Sequence, residues 1–469
     1  MTMNQIELHK SIDKLLIRAV GSEDVSLVTS IISTNNDAKQ YFFTKADGKW
    51  LIWLWENGFL DVIKEKSSDP TRYGYRTPEL NYLVRMAETM PREVVDIMLS
   101  VDTSKNNFNP EVIDQFLHIC GSLPANELAR MVEKIKADNW VQSMSVFNEW
   151  GFEYEKMFES LKINNDGRSL LTLADAVLAV KSKEDYKKNA NGYLFDNPFY
   201  FKDLSYTKVF EHLADIEEKN VAEALKLVCS KLTETVKLAD TDDDGIFEYE
   251  DIFHLYDTDL FTLNLNQQRH LSDRENAKDL IACTKMLSER MFGANCDETE
   301  PANEQYEKII LQIPENQSIW KLKLFILSLC PSAFGEKLKV AFMRLFDVMR
   351  SGKHYHEIES GTEYKKALKK SFGSMGADYQ RQYVANIFEY FGKPNEDKKV
   401  ESWYKRDGWQ ILSSICEHLT ADEKEKCETI FGKKCDDKFE PETSIGHMRG
   451  GAVVPKGAIS QDEFGKLEI

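Results

Sequence analysis

Proline enters this 469-residue chain in a rhythm that restricts its fold more than any other feature. Thr77-Pro78-Glu79, Met90-Pro91-Arg92-Glu93, Asn109-Pro110-Glu111 and Leu123-Pro124-Ala125-Asn126-Glu127 each lead into an apolar run at helical spacing. Proline suits the first helical turn because the N–H it lacks has no partner there, and an acid just after it sits at the positive end of the helix dipole. Pro78 to Pro110 and Pro91 to Pro124 are nearly equal steps of about 33 residues, the size of a helical hairpin in repeat arrays. So little chain separates one helix from the next that long crossovers have no room. Each hairpin must then hide its apolar face against its neighbours. The expected fold is all-α: an α-solenoid of degenerate, armadillo- or HEAT-like helical hairpins.

Helical periodicity fills most of the remaining chain. Ile6, Ile12, Leu15, Leu16 and Val20 mark one amphipathic helix, and Val25, Leu27, Val28, Ile31 and Ile32 mark the next. Gly21 ends the first, and Ser22-Glu23-Asp24 starts the second. Further helices are expected from Asn139-Trp140 towards Phe158, over Ser169–Val180 and Val221–Leu238, and, in the second half, over Arg274–Phe292, Ala302–Ile313, Ile319–Leu329, Glu336–Met349, Tyr364–Phe372, Tyr379–Phe391 and Trp403–Leu419. Lys188–Lys202 reads as a longer loop, and sustained period-two alternation is too scarce for a sheet. Ala294–Pro301 is the best internal boundary. It divides a first helical half, 1–293, from a second, 294–436, with packing expected to continue across it. Residues 437–469 read as loop. Within them Ser460-Gln461-Asp462-Glu463 spells a capping box with six residues left to run, which implies a polypeptide that continues past Ile469.

The charge balance narrows the partners. Lys and Arg number 60 against 78 Asp and Glu, a net charge of −18, and such a surface repels phosphate unless a basic face is segregated. Nucleic acid and membranes are therefore not expected partners. No run reaches the ~20 apolar residues needed to span a bilayer, and the first ten residues lack the basic-then-apolar order of a signal peptide. The eight cysteines, at 120, 229, 283, 296, 330, 416, 427 and 435, are scattered without a C-x-x-C and mostly lie in apolar helical contexts. That pattern is expected of reduced, core-filling thiols in a cytoplasmic protein.

Five constellations carry possible chemistry. Asp240-Thr-Asp242-Asp-Asp244-Gly245-Ile-Phe247-Glu248-Tyr-Glu-Asp251 follows the spacing of a Ca²⁺ loop, with a helix before it and room for one after. The shorter Asp251 at the last ligand position and the lack of a second loop leave an acidic connector as the competing reading. His354-Tyr355-His356-Glu357 groups two imidazoles and a carboxylate, but ligands at i and i+2 point to different helix faces. Cys416-Glu417-His418 fails as a nucleophile and base for the same reason, and His118, His212, His254 and His270 stand alone. The aromatic run Tyr41-Phe42-Phe43, Trp50, Trp53, Trp55 and Phe59 reads either as core between the first repeats or as a docking groove. Lys365, Lys366, Lys369 and Lys370 form a basic stripe, with Lys398-Lys399 and Lys405-Arg406 beyond. A stripe of this kind reads as a solvated face or as a contact for an acidic partner or a nucleic acid. Phosphate loops, nucleophile elbows and dinucleotide fingerprints are absent from the sequence.

The segment Tyr41–Leu60 and the proline-led entries at Pro91, Pro110 and Pro124 resemble those of large bacterial helical-repeat proteins, some linked to phage defence. The resemblance implies an armadillo- or HEAT-type solenoid in a multi-component system and supplies no catalytic residues to transfer. The chain is accordingly expected to be a non-enzymatic scaffold, sensor or regulatory module that binds another protein, with no catalytic, cofactor or metal residues assigned. The alternatives are a Ca²⁺- or Mg²⁺-responsive module through Asp240, Asp242, Asp244 and Asp251, and the recognition part of a larger enzyme.

Overall fold

Thr77 accepts a hydrogen bond from the Leu80 N–H at 3.4 Å and Asn109 one from the Glu111 N–H at 3.0 Å, while Pro78 and Pro110 fill the first helical positions beyond them. Pro91 also fills a first helical position, with no side-chain cap from Met90 before it, and Pro124 stands one residue earlier, at the cap itself. A fifth proline entry, Pro331, starts a helix five residues before the expected Glu336. The structure, a computed structural model, describes residues 3–18, 20–21, 24–34, 36–64, 77–104, 109–142, 152–189, 197–200, 204–243, 245–253, 255, 258–265, 276–293, 299–352, 362–394 and 398–441.

The first helices are α1 (Met3–Ile17), α2 (Asp24–Thr34), α3 (Asn36–Lys45) and α4 (Leu51–Glu56). The proline-led group follows with α5 (Pro78–Ala87), α6 (Pro91–Ser100), α7 (Pro110–Cys120) and α8 (Ala125–Ala137), then α9 (Phe152–Ile163) and α10 (Gly167–Val177). Next come α11 (Lys183–Asn189), α12 (Leu204–Ala214), α13 (Val221–Val236), α14 (Asn276–Ser288), α15 (Thr299–Gln305), α16 (Gln317–Leu329) and α17 (Pro331–Arg350). The last four are α18 (Thr362–Ser371), α19 (Ala377–Phe391), α20 (Lys398–Ser414) and α21 (Ala421–Phe431). The chain is all-α; among the described residues the only β pairing is two isolated bridges, Val180 with Phe199 and Thr241 with Tyr249.

Packing follows chain order. α5 lies against α6 and α7, α6 against α8, α7 against α9, and α8 against α9 and α10. The step of two continues from α10 to α12, α12 to α14, α14 to α16, α16 to α18 and α18 to α20, with α17 on α19 beside it. One connected apolar core runs from Ile12 to Phe431 and does not break at 294–298, because α14 packs on α16 and α13 on the turn Tyr306–Ile310.

Two kinds of helix result. The proline-led helices are amphipathic: α8 buries Leu128, Met131, Val132 and Ile135 on one face, with Glu127 at its start. By contrast α14, α16 and α18 are covered nearly all round, and every residue of α16 from Ser318 to Ser328 is buried. The cover includes the described residues between 237 and 265, which form no helix and contribute Phe247, Phe253, Leu255, Leu260, Leu263 and Leu265 to the core. Backbone polar groups there still need partners. The Glu315 carbonyl accepts the Glu248 and Tyr249 N–H groups at 3.1 Å each, Lys321 donates to the Leu255 carbonyl at 3.2 Å, and buried Glu363 accepts the Leu260 N–H at 3.0 Å.

Several expectations need correction. Cys330 is disulfide-bonded, not a reduced thiol, whereas Cys120, Cys229, Cys283, Cys416, Cys427 and Cys435 are free; Cys296 lies outside the described residues. The expected loop Lys188–Lys202 begins inside α11, and Trp403–Leu419 divides into α20 and a short turn, Cys416–His418. α12 and α21 were not foreseen, although Thr420 and Glu423 form a full capping box at the start of α21. The Ser460–Glu463 capping box lies outside the described residues. Among those residues no helix is long and apolar enough to cross a membrane.

Candidate functional site

Position 245 of the acidic loop must turn sharply, and Gly245 does so with φ 62°, the left-handed region glycine enters freely. The carboxylates around it face other groups than a cation. Asp240 is paired with Lys183 at 2.9 Å and Lys187 at 3.0 Å, whose hydrogen bonds hold it below the usual carboxylate range. Asp242 accepts the N–H groups of Ile246 and Phe247 at 3.1 and 2.9 Å. Asp251 accepts the Phe253 N–H at 3.2 Å and the Ser318 hydroxyl at 2.9 Å, and Asp244 lies outside the described residues. Residues 252–253 and 258–265 continue without a helix, so the second flank of a helix–loop–helix Ca²⁺ site does not follow. Among the described residues no group of three His, Cys, Asp or Glu is arranged to hold a metal ion.

The aromatic run resolves into core. Phe42, Phe43 and Trp50 are fully buried, with Trp50 edge-on to Phe42 at 5.7 Å and to the half-buried Trp53 at 5.4 Å. The basic stripe corrects the solvated-face reading more sharply. Lys365 is buried and donates to Gln410 at 2.6 Å, Lys366 reaches Asp259 at 2.6 Å, and Lys369 reaches Glu440 at 2.6 Å and the Phe439 carbonyl at 3.0 Å. These lysines tie 259 and 439–440 to α18. Cys416 and His418 diverge: Cys416 turns to Cys435, while the His418 ring meets Phe372 at 5.8 Å. His118 bonds Glu153 at 2.9 Å and His212 stacks on Phe158 at 5.6 Å. His354, His356, Glu357, His254 and His270 lie outside the described residues.

What the spacing did not point to is a polar cleft of about 450 Å³ between α8, α10 and α13. Asn139, with φ 53°, ends α8 and turns Trp140 into the core, where its indole N–H donates to Thr103 at 2.8 Å. That turn leaves Asn139 and Gln142 on the cleft wall beside Lys136, with Asp175 from α10 and Ser230, Lys231 and Glu234 from α13. Asp175 stands at the centre, 2.7 Å from both Lys136 and the buried Lys231. Burial works against its charge, but the two lysines outweigh it and hold Asp175 below the usual carboxylate range. The only signal in the sequence was one acid inside Leu170-Leu-Thr-Leu-Ala-Asp175-Ala-Val177, an otherwise apolar stretch. A cleft of this composition offers a surface ligand ammonium donors, carboxylate acceptors and amides side by side.

No protein-family model matches the chain, and no curated protein or solved structure is similar enough to it to count as a match.

Proposed function

We propose that this chain is an α-solenoid acting as a non-catalytic binding module for another protein. The observation that carries the reading is the step-of-two packing, in which helices between α5 and α20 rest repeatedly on the next but one, as α5 does on α7, α6 on α8, α12 on α14 and α16 on α18. Stacked hairpins of this kind lengthen into extended surfaces, and extended surfaces are what such arrays offer to partners. The Asp175 cleft supports the reading, since its mixed lysine, carboxylate and amide lining suits the polar rim of a protein interface. A place in a multi-component defence system is part of the same proposal and rests on the likeness of Tyr41–Leu60 to that class of repeat protein.

The test is affinity purification of the tagged chain from its native host, beside a Lys136→Glu/Lys231→Glu variant verified as folded. The proposal expects one protein recovered at fixed stoichiometry by the native chain and at least tenfold less by the variant. Recovery of no stoichiometric protein under any growth condition, phage challenge included, would overturn it.

A further inference from the structure

Lys231 lines the Asp175 cleft with more hydrogen-bonding capacity than the protein uses. It stands on α13, is only 7% exposed, and its ammonium group brings three N–H donors. Asp175 takes one of them at 2.7 Å, whereas Glu234, one turn further along α13, lies at 3.7 Å, beyond hydrogen-bond reach. Among the described residues nothing else accepts from Lys231. A buried donor left open is costly, so two open donors on a buried cation call for an acceptor from outside the protein. Glu234 is open in the complementary sense. Its side chain is nearly half exposed, and one oxygen accepts the Ser230 hydroxyl at 3.3 Å, which leaves acceptor sites of the carboxylate unused.

We propose that this cleft binds a free α-amino acid with an apolar side chain. The ligand's carboxylate accepts the two open N–H groups of Lys231, and its ammonium group donates to Glu234. An α-amino acid carries both charges on one carbon, which suits an ammonium and a carboxylate held 3.7 Å apart, one turn from each other on the same helix. Charge balance selects the zwitterion over a plain anion or a plain amine. The lining holds two ammonium groups, Lys136 and Lys231, against two carboxylates, Asp175 and Glu234. A lone carboxylate at Lys231 would stand against Asp175, which already holds that ammonium. A lone amine would add a third cation beside the two lysines. The zwitterion leaves the balance unchanged. Val141, Ala176, Ala179 and Val180 line another part of the cleft and seat the apolar side chain. Its volume of about 450 Å³ lies in the range of pockets that enclose small ligands. The assignment goes beyond a protein-binding surface and needs no partner protein: it makes the array itself responsive to a small molecule.

The experiment titrates the purified full-length chain by calorimetry with L-leucine, L-glutamate, 4-methylpentanoate and 3-methylbutylamine. The last two are leucine without its ammonium group and leucine without its carboxylate. The proposal expects saturable one-to-one binding of leucine with a Kd below about 1 mM, and binding at least tenfold weaker for each of the other three. Glu234→Gln, a change at a nearly half-exposed side chain, should bind leucine no better than it binds 4-methylpentanoate. Lys231→Met should bind neither; if it fails to fold, Glu234→Gln decides alone. No saturable heat with leucine at about 10 mM, equal affinity of the native chain for leucine and 4-methylpentanoate, or native leucine affinity in Glu234→Gln would overturn it. With no second protein present, these outcomes stand apart from the recovery of a partner from the host.

Discussion

Helices α8 and α16 are both 13 residues long, yet one is half in solvent and the other is wholly inside. α8 keeps Arg130, Glu133, Lys134 and Lys136 on an outer face and packs its apolar face on α6, α9 and α10. α16 carries Lys321 and Lys323 at positions that look equally polar, and both are buried. Their ammonium groups reach the carbonyls of Leu255 and Ile313, and Lys323 also meets Glu315 at 3.2 Å. Glu315 in turn accepts from Arg344, whose guanidinium lies over Trp320 at 4.5 Å and donates to the Ile246 carbonyl at 2.9 Å. The difference shows that a polar residue on a helix marks an outer face only where no further layer is laid on it. Around α16 that layer exists, and the lysines are the ties that hold it.

The sharpest way to break this contrast is Glu363→Ala. Glu363 is buried, accepts the Leu260 N–H and faces Lys321 at 3.6 Å, so its loss leaves a buried ammonium without its counter-charge. Removing one partner of a buried pair costs about 3–5 kcal/mol. Urea unfolding should show a loss of that size, and Lys321→Met added to Glu363→Ala should recover much of it.

A smaller effect is expected in the first region from Asp175→Asn, because Lys231 keeps Glu234 at 3.7 Å as a weaker partner. The expected cost is about 1.5–3 kcal/mol, the range for hydrogen bonds to charged groups. It is also pH-dependent. Asp175 has a folded pKa below its unfolded value, so its contribution is complete above the unfolded carboxylate range near pH 4 and fades as pH falls through the folded pKa. The difference between native chain and variant should therefore shrink below about pH 4. A difference that grows on acidification would contradict this placement of the charge.

Thr420→Ala should cost about 1 kcal/mol, the worth of one helix cap, since it removes the hydroxyl that accepts the Glu423 N–H and leaves the residue-420 N–H on the Glu423 carboxylate as the remaining half of the capping box. The smallest effect is expected from calcium. With Asp240 on two lysines and Asp242 on backbone amides, millimolar Ca²⁺ should leave the melting temperature unchanged. A calcium-dependent rise would restore the cation-responsive reading of the acidic loop.

What was legible in the sequence follows the same division. The helices of the first region announced themselves, because a proline entry, a cap and one-sided apolar spacing all reflect local physics that Pro78, Pro91 and Pro110 display directly. The second region was legible as helix but not as layering. Nothing local in Lys365-Lys366-Ala-Leu-Lys369-Lys370 tells that Asp259 and Glu440, more than 70 residues away in each direction, will come to lie on it. α21 was not legible because its apolar residues are broken by charged ones, as in Ala-Asp-Glu-Lys-Glu-Lys-Cys427, whereas α12 keeps Tyr206, Val209, Phe210 and Leu213 at plain helical spacing and could have been read. The candidate cleft was hidden for a related reason: Asp175, Lys136 and Lys231 belong to three helices that only tertiary packing brings together.

Amide hydrogen exchange tests the contrast most directly, because it reports the opening of each helix in the folded chain. The amides of α16 and α18, enclosed on all sides, should exchange only through global unfolding, and those on the outer faces of α6 and α8 through local opening at faster rates. Exchange in α16 as fast as in α8 would contradict the account.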